Sequence, residues 1–545
     1  MTGTVLNEKN PVLPIDRAKN NRPARALMDK RVFIYGNPLV TSVFLTFTIY
    51  FHKGNDTTIH LYPHGRFLYT DHMQCDVDEG AIYEKELTMK QTDLLVIGGS
   101  AGGILAATMA RKAYGDIKVT VIRDTERVMV PCGIPYIFGT LRDTAKNVIP
   151  DAGLLGAGVE LLIDTVTSIE RNEKYVKTKS HGDISYKKLI VATGSVPVIP
   201  RFIPGYDLEN VFPVLKEETY LQNVLKKLDA AENVSVIGGG FIGVEFAEQI
   251  RKLGKNVTLI ELADCCLWQA FDREFSDHLE EQLRENGVDV QTGTRVSRIA
   301  GEGAVESVEL ADGRSIPADL VILGLGMKPN AALAKEAGLA LNDQGAILVD
   351  QYMRTNDRDI FAVGDCAEKK CFFTGKDAPI LLASTAAMEA KIAGSNAFQL
   401  RLVRANKGTI STFSTKVFGS TYASAGLTES QAKAEGFTYM LGEYDTMDRH
   451  PGSLPDAQKV HIKLLFSKCS GVILGAQIYG GDTVAEIVNI LSLAITSGMT
   501  ATELNTFQTA THPLVSASPI AYPINAAAMN ALATNCNHLN QGLVI

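Results

Sequence analysis

The chain has 545 residues, a length that suggests three or four domains at about 150 residues per domain. Hydrophobic residues make up 46% and charged residues 21%, which is typical of globular proteins and argues against extensive disorder. The net charge is -8 and no basic block interrupts the sequence, so nothing indicates a nucleic-acid partner.

Residues 1–88 match none of the patterns that follow, and we expect them to form a β-rich extension of unknown role. The longest apolar run there, from Leu39 to Phe51, is shorter than the roughly 20 residues that a membrane-spanning helix needs. Its β-branched and aromatic residues favour a strand, and it begins too late for a signal peptide. Met89 stands just before the next predicted strand and could be an alternative start.

Two later segments repeat one pattern. Residues 93–103 read DLLVIGGSAGG and residues 233–243 read NVSVIGGGFIG. Each is a short apolar strand, a glycine-rich turn and the start of a helix of small residues, and a second strand follows each helix. The sequence therefore predicts two βαβ units.

The second unit carries the complete G-x-G-x-x-G spacing at Gly238, Gly240 and Gly243. These glycines allow a tight turn, a close approach of the pyrophosphate and close helix packing, and the helix N-terminus offers N–H groups to the phosphates. We include Ile242 of the same turn among the cofactor contacts. Glu261 ends the next strand and would repel a 2′-phosphate, so NADH is expected as the preferred cofactor, with NADPH as the alternative.

The first unit departs from that spacing because Ser100 stands where the second glycine is expected. Serine is small enough to keep the site open. The strand-end carboxylate is replaced by Arg123, and Asp124 is the nearest acidic candidate. The predicted cofactor-binding residues of this unit are Gly98, Ser100, Ala101, Gly102, Gly103 and Asp124.

Two short motifs complete the pattern. Ala192, Thr193 and Gly194 follow a predicted buried strand, and residues 360–365 read IFAVGD. Together with the two βαβ units, these motifs make the chain resemble the flavoprotein disulfide reductases that bind two dinucleotides. The resemblance implies FAD in the first unit and the nicotinamide cofactor in the second, and it implies that Asp365 hydrogen-bonds the ribityl chain of FAD.

The same resemblance implies an α/β fold with two Rossmann-like dinucleotide-binding domains, for FAD and NAD, and a C-terminal α+β dimerisation domain. We expect a segmented FAD-binding domain at residues 89–207 and 320–405, and an NAD(P)H-binding domain at residues 208–319. Residues 406–545 are assigned to dimerisation, because residues 413–427 resemble the start of that domain. A homodimer is therefore expected.

Cys132 is the candidate redox residue among eight cysteines. Disulfide reductases carry a second cysteine five positions later, where this chain has Ile137. The string CGIPY resembles the single-cysteine branch, which includes coenzyme A-disulfide reductases, NADH oxidases and peroxidases, and persulfide or sulfur reductases. A helix N-terminus beside Cys132 is expected to lower its pKa. No zinc-type spacing occurs, so no metal is expected, and the unpaired cysteines suggest a cytoplasmic protein with reduced thiols.

His512, followed by Pro513, stands where the dithiol reductases carry an acid/base histidine contributed across the dimer. The glutamate that orients that histidine is replaced here by Ala517. Residues 518–525 are only loosely similar to the tyrosine-rich stretch of coenzyme A-disulfide reductases. His512 is therefore a second catalytic candidate, and coenzyme A is an open question.

These features predict an FAD-dependent enzyme that passes electrons from NADH to Cys132, which then reduces a disulfide, persulfide or polysulfide. The substrate would be a small sulfur compound, with coenzyme A disulfide or persulfide as candidates. The first alternative is an NADH oxidase or peroxidase in which Cys132 cycles through a sulfenate. A non-enzymatic flavoprotein is the second.

Overall fold

The computed structural model describes residues 89–378, 380–403 and 405–539, together with six short strands before residue 69. The chain divides into two compact units, Met1–Leu87 and Thr88–Ile545. The strands of the first unit form an antiparallel sheet and a separate pair, so the predicted β-rich character is confirmed. The sheet strands are Met28–Phe33, Phe44–Tyr50, Asp56–Leu61 and Phe67–Leu68, and the pair is Pro14–Ile15 with Ala24–Arg25.

The first sheet of the second unit is parallel and carries an antiparallel hairpin. Its parallel strands are, in spatial order, Glu160–Ile163, Val119–Arg123, Lys90–Ile97, Asp183–Val191 and Ile360–Ala362. The hairpin strands are Val166–Glu170 and Tyr175–Thr178. Strand Lys90–Ile97 is central, with Val119–Arg123, the next strand of this sheet along the chain, on one side and Asp183–Val191, which comes later, on the other. That reversal of strand order opens a crevice at the carboxyl ends of the strands, where α/β sheets bind ligands.

Helices cover this sheet and are built from small residues where they meet. Ala101–Tyr114 packs on Ala383–Asn396 through buried alanines and glycines, including Ala106, Ala110 and Ala390. Such residues let two helices approach closely. The shorter elements of this part are Val128–Met129, Thr144–Asn147, Val148–Ile149, Ala152–Gly156, Ala332–Glu336 and Gly364–Cys366.

The second sheet is parallel throughout. Its strands are, in order, Val211–Pro213, Leu320–Leu323, Asn233–Ile237, Asn256–Ile260 and Val288–Gln291. The helices of this domain are Glu218–Ala230, Phe241–Arg251 and Arg273–Glu285. The domain also contains a small antiparallel sheet with strands Val296–Ala300, Ser307–Leu310 and Ser315–Pro317.

One predicted boundary is wrong. Strand Leu320–Leu323 was assigned to the FAD-binding domain by a boundary at residue 320, but it pairs with Asn233–Ile237 in the second sheet. Its four residues are buried and need partners on both sides. The chain returns to the first domain later, through Met327–Pro329, which pairs with Ser195–Pro197.

The C-terminal part is an antiparallel sheet with helices against it. The strands are, in order, Phe413–Val417, Ser420–Gly426, Ile473–Gly480, Lys459–Ser467 and Tyr439–Met447. The helices are Glu429–Ala434, Val484–Ser497, Ala501–Thr506 and Pro523–Leu539, with a short turn at Pro519–Ala521. No helix in the described part of the chain is long and apolar enough to cross a membrane.

A buried polar cluster joins the second sheet domain to the C-terminal sheet. Asp272 accepts hydrogen bonds from the side chain of Gln477 and from the backbone N–H of Glu429. The ammonium group of Lys463 contacts the carboxylates of Asp272, Glu274 and Glu429. These carboxylates are close enough together to hold a metal ion, but the ammonium of Lys463 already contacts all three.

We expect Lys463→Met to destabilise the chain by about 3 kcal/mol, because carboxylates would remain close together without their cation. Guanidinium unfolding followed by circular dichroism should show a lower midpoint. Lys459→Met is the control, since Lys459 lies exposed at the start of the same strand. Equal midpoints for the two variants would contradict the role assigned to Lys463.

Candidate functional site

The glycine turn of the first unit lies at the carboxyl end of the central strand. Gly98 adopts a φ of 110°, which favours glycine. A Cβ atom at Gly98 would lie 2.1 Å from the carbonyl oxygen of Ala192, so the segment Ala192–Gly194 presses against the turn. Two predicted motifs therefore meet at one edge of the sheet. The side chains there are small enough to leave the backbone accessible to a phosphate.

The second unit repeats this turn closely. Gly238 has the same φ of 110°, and a Cβ atom at Gly243 would lie 1.8 Å from the Gly238 carbonyl oxygen. A Cβ atom at Gly240, in contrast, would meet no atom within 4 Å. Because Ser100 occupies the corresponding position of the first unit, its side chain can be accommodated without a clash. Both turns thus keep the shape that a dinucleotide pyrophosphate requires.

The two units differ at the end of the next strand. In each, the N–H of the first glycine donates at 2.8 Å to a carbonyl near the end of that strand, that of Ile122 or Ile260, and the following residue is Arg123 or Glu261. Arg123 is buried and pairs with Asp151. Asp124 is exposed and lies one residue beyond this position, so its contact with FAD stays a prediction.

Glu261 lies directly beneath the second glycine turn. Its carboxylate accepts hydrogen bonds from the backbone N–H of Gly239 and, at 2.7 Å, of Ala263. These bonds hold the negative charge at the strand end, where the ribose of a bound nicotinamide cofactor would lie. The arrangement fits the predicted preference for NADH.

The turn that carries Asp365 is fixed by a buried ion pair. Glu389 accepts a hydrogen bond from the N–H of Gly364 at 2.8 Å, and the ammonium of Lys369 donates to the Gly364 carbonyl at 2.7 Å. Lys369 and Glu389 lie 3.1 Å apart, and both are buried. Burial, the largest effect, raises the pKa of Glu389 to about 7 despite this pairing.

Asp365 lies on this turn and is partly buried. The hydroxyl of Ser195 donates to its carboxylate at 2.7 Å, and the ammonium of Lys216 donates to the same hydroxyl at 2.9 Å. Lys216 Nζ is 4.0 Å from the Asp365 carboxylate. Lys216 is not among the predicted site residues, because no sequence motif marks the loop between strand Val211–Pro213 and helix Glu218–Ala230.

Cys132 lies in a short helical turn, Pro131–Gly133, that continues through Ile134–Tyr136 into the π-helical turn Ile137–Leu141. Asn147 anchors the turn by two hydrogen bonds with Val130: its side chain donates to the Val130 carbonyl at 3.0 Å, and its own carbonyl accepts from the Val130 N–H at 2.9 Å. The segment packs on helix Phe241–Arg251 of the second domain. The segment that begins with Cys132 thus lies against the helix that follows the second glycine turn.

The electrostatic environment of Cys132 differs from the expected one. Partial desolvation by the surrounding protein, the largest effect, raises the pKa of the Cys132 thiol. The carboxylates of Glu245 and Asp365 raise this pKa further, whereas Lys216 lowers it. The lowered pKa that was predicted from a helix N-terminus is therefore wrong for this protein. The helical turn at Cys132 is too short to provide a strong dipole. Burial and the nearby carboxylates therefore determine the direction in which the pKa of the thiol shifts.

Glu245 is a second residue that the sequence analysis missed. It lies two positions after Gly243, on the helix that faces the cysteine turn, and accepts a hydrogen bond from Thr415 at 2.8 Å. Burial, with a contribution from Glu248, raises its pKa to about 7. Glu245 can therefore change protonation near neutral pH.

His512 lies on an exposed loop of the C-terminal part. Its Nδ1 accepts a hydrogen bond from the Leu514 N–H at 3.3 Å, and Ala517, at the position of the missing glutamate, is buried. This backbone contact restrains the Nδ1 side of the ring within the loop. A catalytic role for His512 stays a prediction.

The cysteines with described side chains form no disulfide with one another. Cys366 is fully buried beneath Asp365, and Cys265 and Cys266 are buried in the second domain. Cys132 and Cys469 are exposed.

Comparison with known proteins identifies the family. The pyridine nucleotide-disulphide oxidoreductase family matches residues 92–390, and its dimerisation domain matches residues 412–520. The chain belongs to this family. Both the predicted family and the predicted α/β fold with two dinucleotide-binding domains are confirmed.

Individual relatives of this oxidoreductase carry more specific names. An NAD(P)H coenzyme A polysulfide/persulfide reductase of Pyrococcus horikoshii is 32% identical over 402 residues, which cover 72% of this chain and 88% of that protein. An NADH oxidase of Methanocaldococcus jannaschii is 30% identical over 452 residues, which cover 80% and 98%. The solved NAD-dependent persulfide reductase from A. fulgidus is 35% identical with a TM-score of 0.75, covering 82% of this chain and 84% of that one.

The oxidoreductase is therefore an enzyme that uses FAD and NAD(P)H, as predicted. Its residues fit both groups. The turn at Gly98, the segment Ala192–Gly194 and Asp365 would hold FAD, and the turn at Gly238 with Glu261 would hold the nicotinamide cofactor. Assignment of these individual residues to cofactor contacts remains our prediction.

We expect Asp365→Ala to weaken FAD binding by about 1.5–3 kcal/mol, because one charge-assisted hydrogen bond is lost. The FAD dissociation constant, measured by flavin fluorescence on reconstitution, tests this. Asp116→Ala is the control, because Asp116 lies exposed beyond the far end of helix Ala101–Tyr114. Unchanged FAD affinity in Asp365→Ala would contradict the assignment.

Glu261→Gln should reduce the preference for NADH over NADPH about tenfold, because the like charge that opposes a 2′-phosphate is removed. The ratio of kcat/KM for the two cofactors measures it. Asp264→Asn, an exposed carboxylate three residues later, should leave the ratio unchanged. An unaltered ratio in Glu261→Gln would show that another group sets the preference.

Proposed function

We propose that this oxidoreductase uses NADH to reduce a sulfur–sulfur bond, and that Cys132 is the single thiol that reacts with the substrate. The carrying observation is that Cys132 is exposed on a turn whose following residues pack against the helix of the second glycine turn, while position 137 holds a buried isoleucine. Among the residues that the structure describes, no second thiol lies in this turn. The names of relatives support a disulfide, persulfide or polysulfide as substrate.

The chemistry follows from one thiol. The Cys132 thiolate attacks one sulfur of R–S–S–R′, so that a mixed disulfide forms and R′–S⁻ leaves and takes up a proton. When bound, FAD accepts a hydride from NADH and supplies two electrons. These electrons break the mixed disulfide, release R–S⁻ for protonation and restore the thiolate of Cys132. The sum is NADH, a proton and R–S–S–R′ giving NAD⁺, RSH and R′SH.

Side chains around the thiol have defined parts in this scheme. Glu245, whose pKa is raised to about 7, can take up or release a proton at neutral pH.

We also propose that two copies associate through residues 406–545, since Leu493, Leu514 and Ile520 are exposed apolar side chains there. In such a dimer His512 could protonate the leaving thiolate. A cytoplasmic location is proposed from the reduced thiols.

NADH oxidation by oxygen or peroxide is the second candidate function. It is supported by the NADH oxidase of Methanocaldococcus jannaschii, which aligns over 98% of its length. In that case Cys132 would cycle through a sulfenate. Anaerobic NADH consumption with coenzyme A disulfide or polysulfide, compared with consumption on oxygen alone, separates the two functions.

Cys132→Ser should abolish steady-state reduction of disulfide or polysulfide, because serine cannot form the mixed disulfide. It should leave FAD bound and still allow NADH to bleach the flavin absorbance near neutral pH. Anaerobic stopped-flow spectroscopy separates these half-reactions.

Cys469→Ser is the matched control, because Cys469 is also an exposed thiol but lies on the C-terminal sheet domain. Its turnover should equal that of the wild type. If Cys132→Ser reduces the sulfur substrate at the wild-type rate, the single-cysteine mechanism is wrong.

A further inference from the structure

Two buried polar side chains lie side by side on helix Phe241–Arg251. Glu248 and Gln249 are each only 1% exposed. The side-chain amide of Gln249 donates a hydrogen bond to the carboxylate of Glu248 at 2.7 Å. A buried carboxylate and a buried amide cost free energy unless their polar atoms have partners. The remaining partners of this pair lie on two other parts of the chain.

Gln249 is bound to the segment that carries Cys132. Its side-chain oxygen accepts hydrogen bonds from the backbone N–H of Thr140 at 3.0 Å and from the Thr140 hydroxyl at 2.7 Å. Thr140 lies in the π-helical turn Ile137–Leu141, which continues the helical segment that begins at Pro131. Gln249 thus fixes the end of this segment on the helix.

Glu248 is bound to the C-terminal sheet. Its carboxylate accepts a hydrogen bond from the backbone N–H of Phe418 at 2.9 Å. Phe418 lies in the turn between strands Phe413–Val417 and Ser420–Gly426, so the tip of the first hairpin of that sheet makes this bond. Lys252, which is partly exposed, also contacts the carboxylate. The pair therefore connects the hairpin to the cysteine segment by hydrogen bonds in series.

The hydrophobic packing around the pair joins the same three parts of the chain. One core cluster contains Ile137 and Phe138 of the cysteine segment, Phe246 of the helix, and Val417 and Tyr422 of the hairpin. Apolar contacts have no preferred direction, whereas hydrogen bonds require a particular distance and angle. The core therefore holds the three parts together, and the polar pair sets how they align.

We infer that Glu248 and Gln249 are positioning residues for the redox reaction, and that through them the first hairpin of the C-terminal sheet holds the segment that carries Cys132 in place. This inference rests on the proposed role of Cys132 as the reacting thiol. It gives the C-terminal domain a role within its own chain, in addition to the association between copies proposed above. Both residues act through the backbone of the segment and do not need to touch the substrate.

The test is hydrogen exchange of the backbone amides of residues 131–141 in the FAD-loaded enzyme, measured by mass spectrometry of peptides. Glu248→Met removes the bond to the hairpin but leaves both bonds between Gln249 and Thr140. We expect the amides of residues 131–141 to exchange about tenfold faster, because the helix is no longer held to the hairpin. Peptides from strand Lys90–Ile97 should exchange as in the wild type, which excludes general unfolding.

The same variant should also react more slowly. Anaerobic NADH consumption with polysulfide should fall about tenfold, because a small displacement of the thiol from the flavin slows the reaction. If Glu248→Met does not fold, Glu248→Gln replaces it, since glutamine offers one oxygen and cannot accept from both Phe418 and Gln249 in the positions that the carboxylate serves.

A rescue variant exchanges the two side chains. Glu248→Gln combined with Gln249→Glu again places a carboxylate beside an amide, so that every hydrogen bond of the series can form with the direction of the central bond reversed. Exchange and polysulfide reduction should return to the wild-type values. A role in stability alone would not predict this recovery in both measurements.

Glu280→Met is the matched control. Glu280 is a similarly buried carboxylate that accepts the Cys266 N–H at 2.9 Å, but it lies on helix Arg273–Glu285. Its replacement removes a buried hydrogen bond from the same domain and should leave the exchange of residues 131–141 unchanged.

The inference is overturned if residues 131–141 exchange equally fast in Glu248→Met and Glu280→Met, or if the exchanged pair does not restore the wild-type behaviour. Hydrogen exchange does not depend on turnover. If exchange responds as expected but Cys132→Ser still reduces polysulfide at the wild-type rate, the link between hairpin and segment stands and the proposed function is refuted instead.

Discussion

The redox site depends on close packing between the segment that carries Cys132 and helix Phe241–Arg251 of the second domain. Thr140 donates to Gln249 through its backbone N–H at 3.0 Å and its hydroxyl at 2.7 Å, and the rings of Phe138 and Phe246 lie 5.1 Å apart. A Cβ atom at Gly139 would lie 2.4 Å from the Gln249 carbonyl oxygen, so any larger residue would push the two apart. The thiol is thus held against the helix whose first turn is predicted to bind the nicotinamide cofactor.

This packing has an electrostatic consequence. The helix that supports the cysteine turn also brings Glu245 to the thiol, and the first sheet contributes Asp365, so the thiolate forms among negative charges. Lys216, whose ammonium donates a hydrogen bond to Ser195, acts in the opposite direction and lowers the pKa of the thiol. In this protein the charge state of the thiol is accordingly set by side chains from separate elements, and the helix dipole has a minor role.

The sequence revealed those parts of the site that depend on local backbone geometry. The turns at Gly98 and Gly238 require particular residue types at fixed spacing, so they could be recognised, and Ser100 could be accepted as a replacement. Lys216 and Glu245 escaped recognition because their roles arise from contacts between residues far apart in sequence. The wrong boundary at Leu320 has a similar cause, since strand order decides which sheet a buried strand joins.

Position 137 shows why the cysteine turn offers a single thiol. Ile137 is fully buried and packs in the hydrophobic core shared with the second domain, next to residues such as Phe138 and Val244. A thiol at that position would lie in apolar surroundings, where its ionisation is costly. The cysteine turn therefore uses this position as a packing anchor, whereas the Cys132 side chain is open to the groove. An arrangement with one accessible thiol and one apolar anchor suits a sulfur atom that arrives with the substrate.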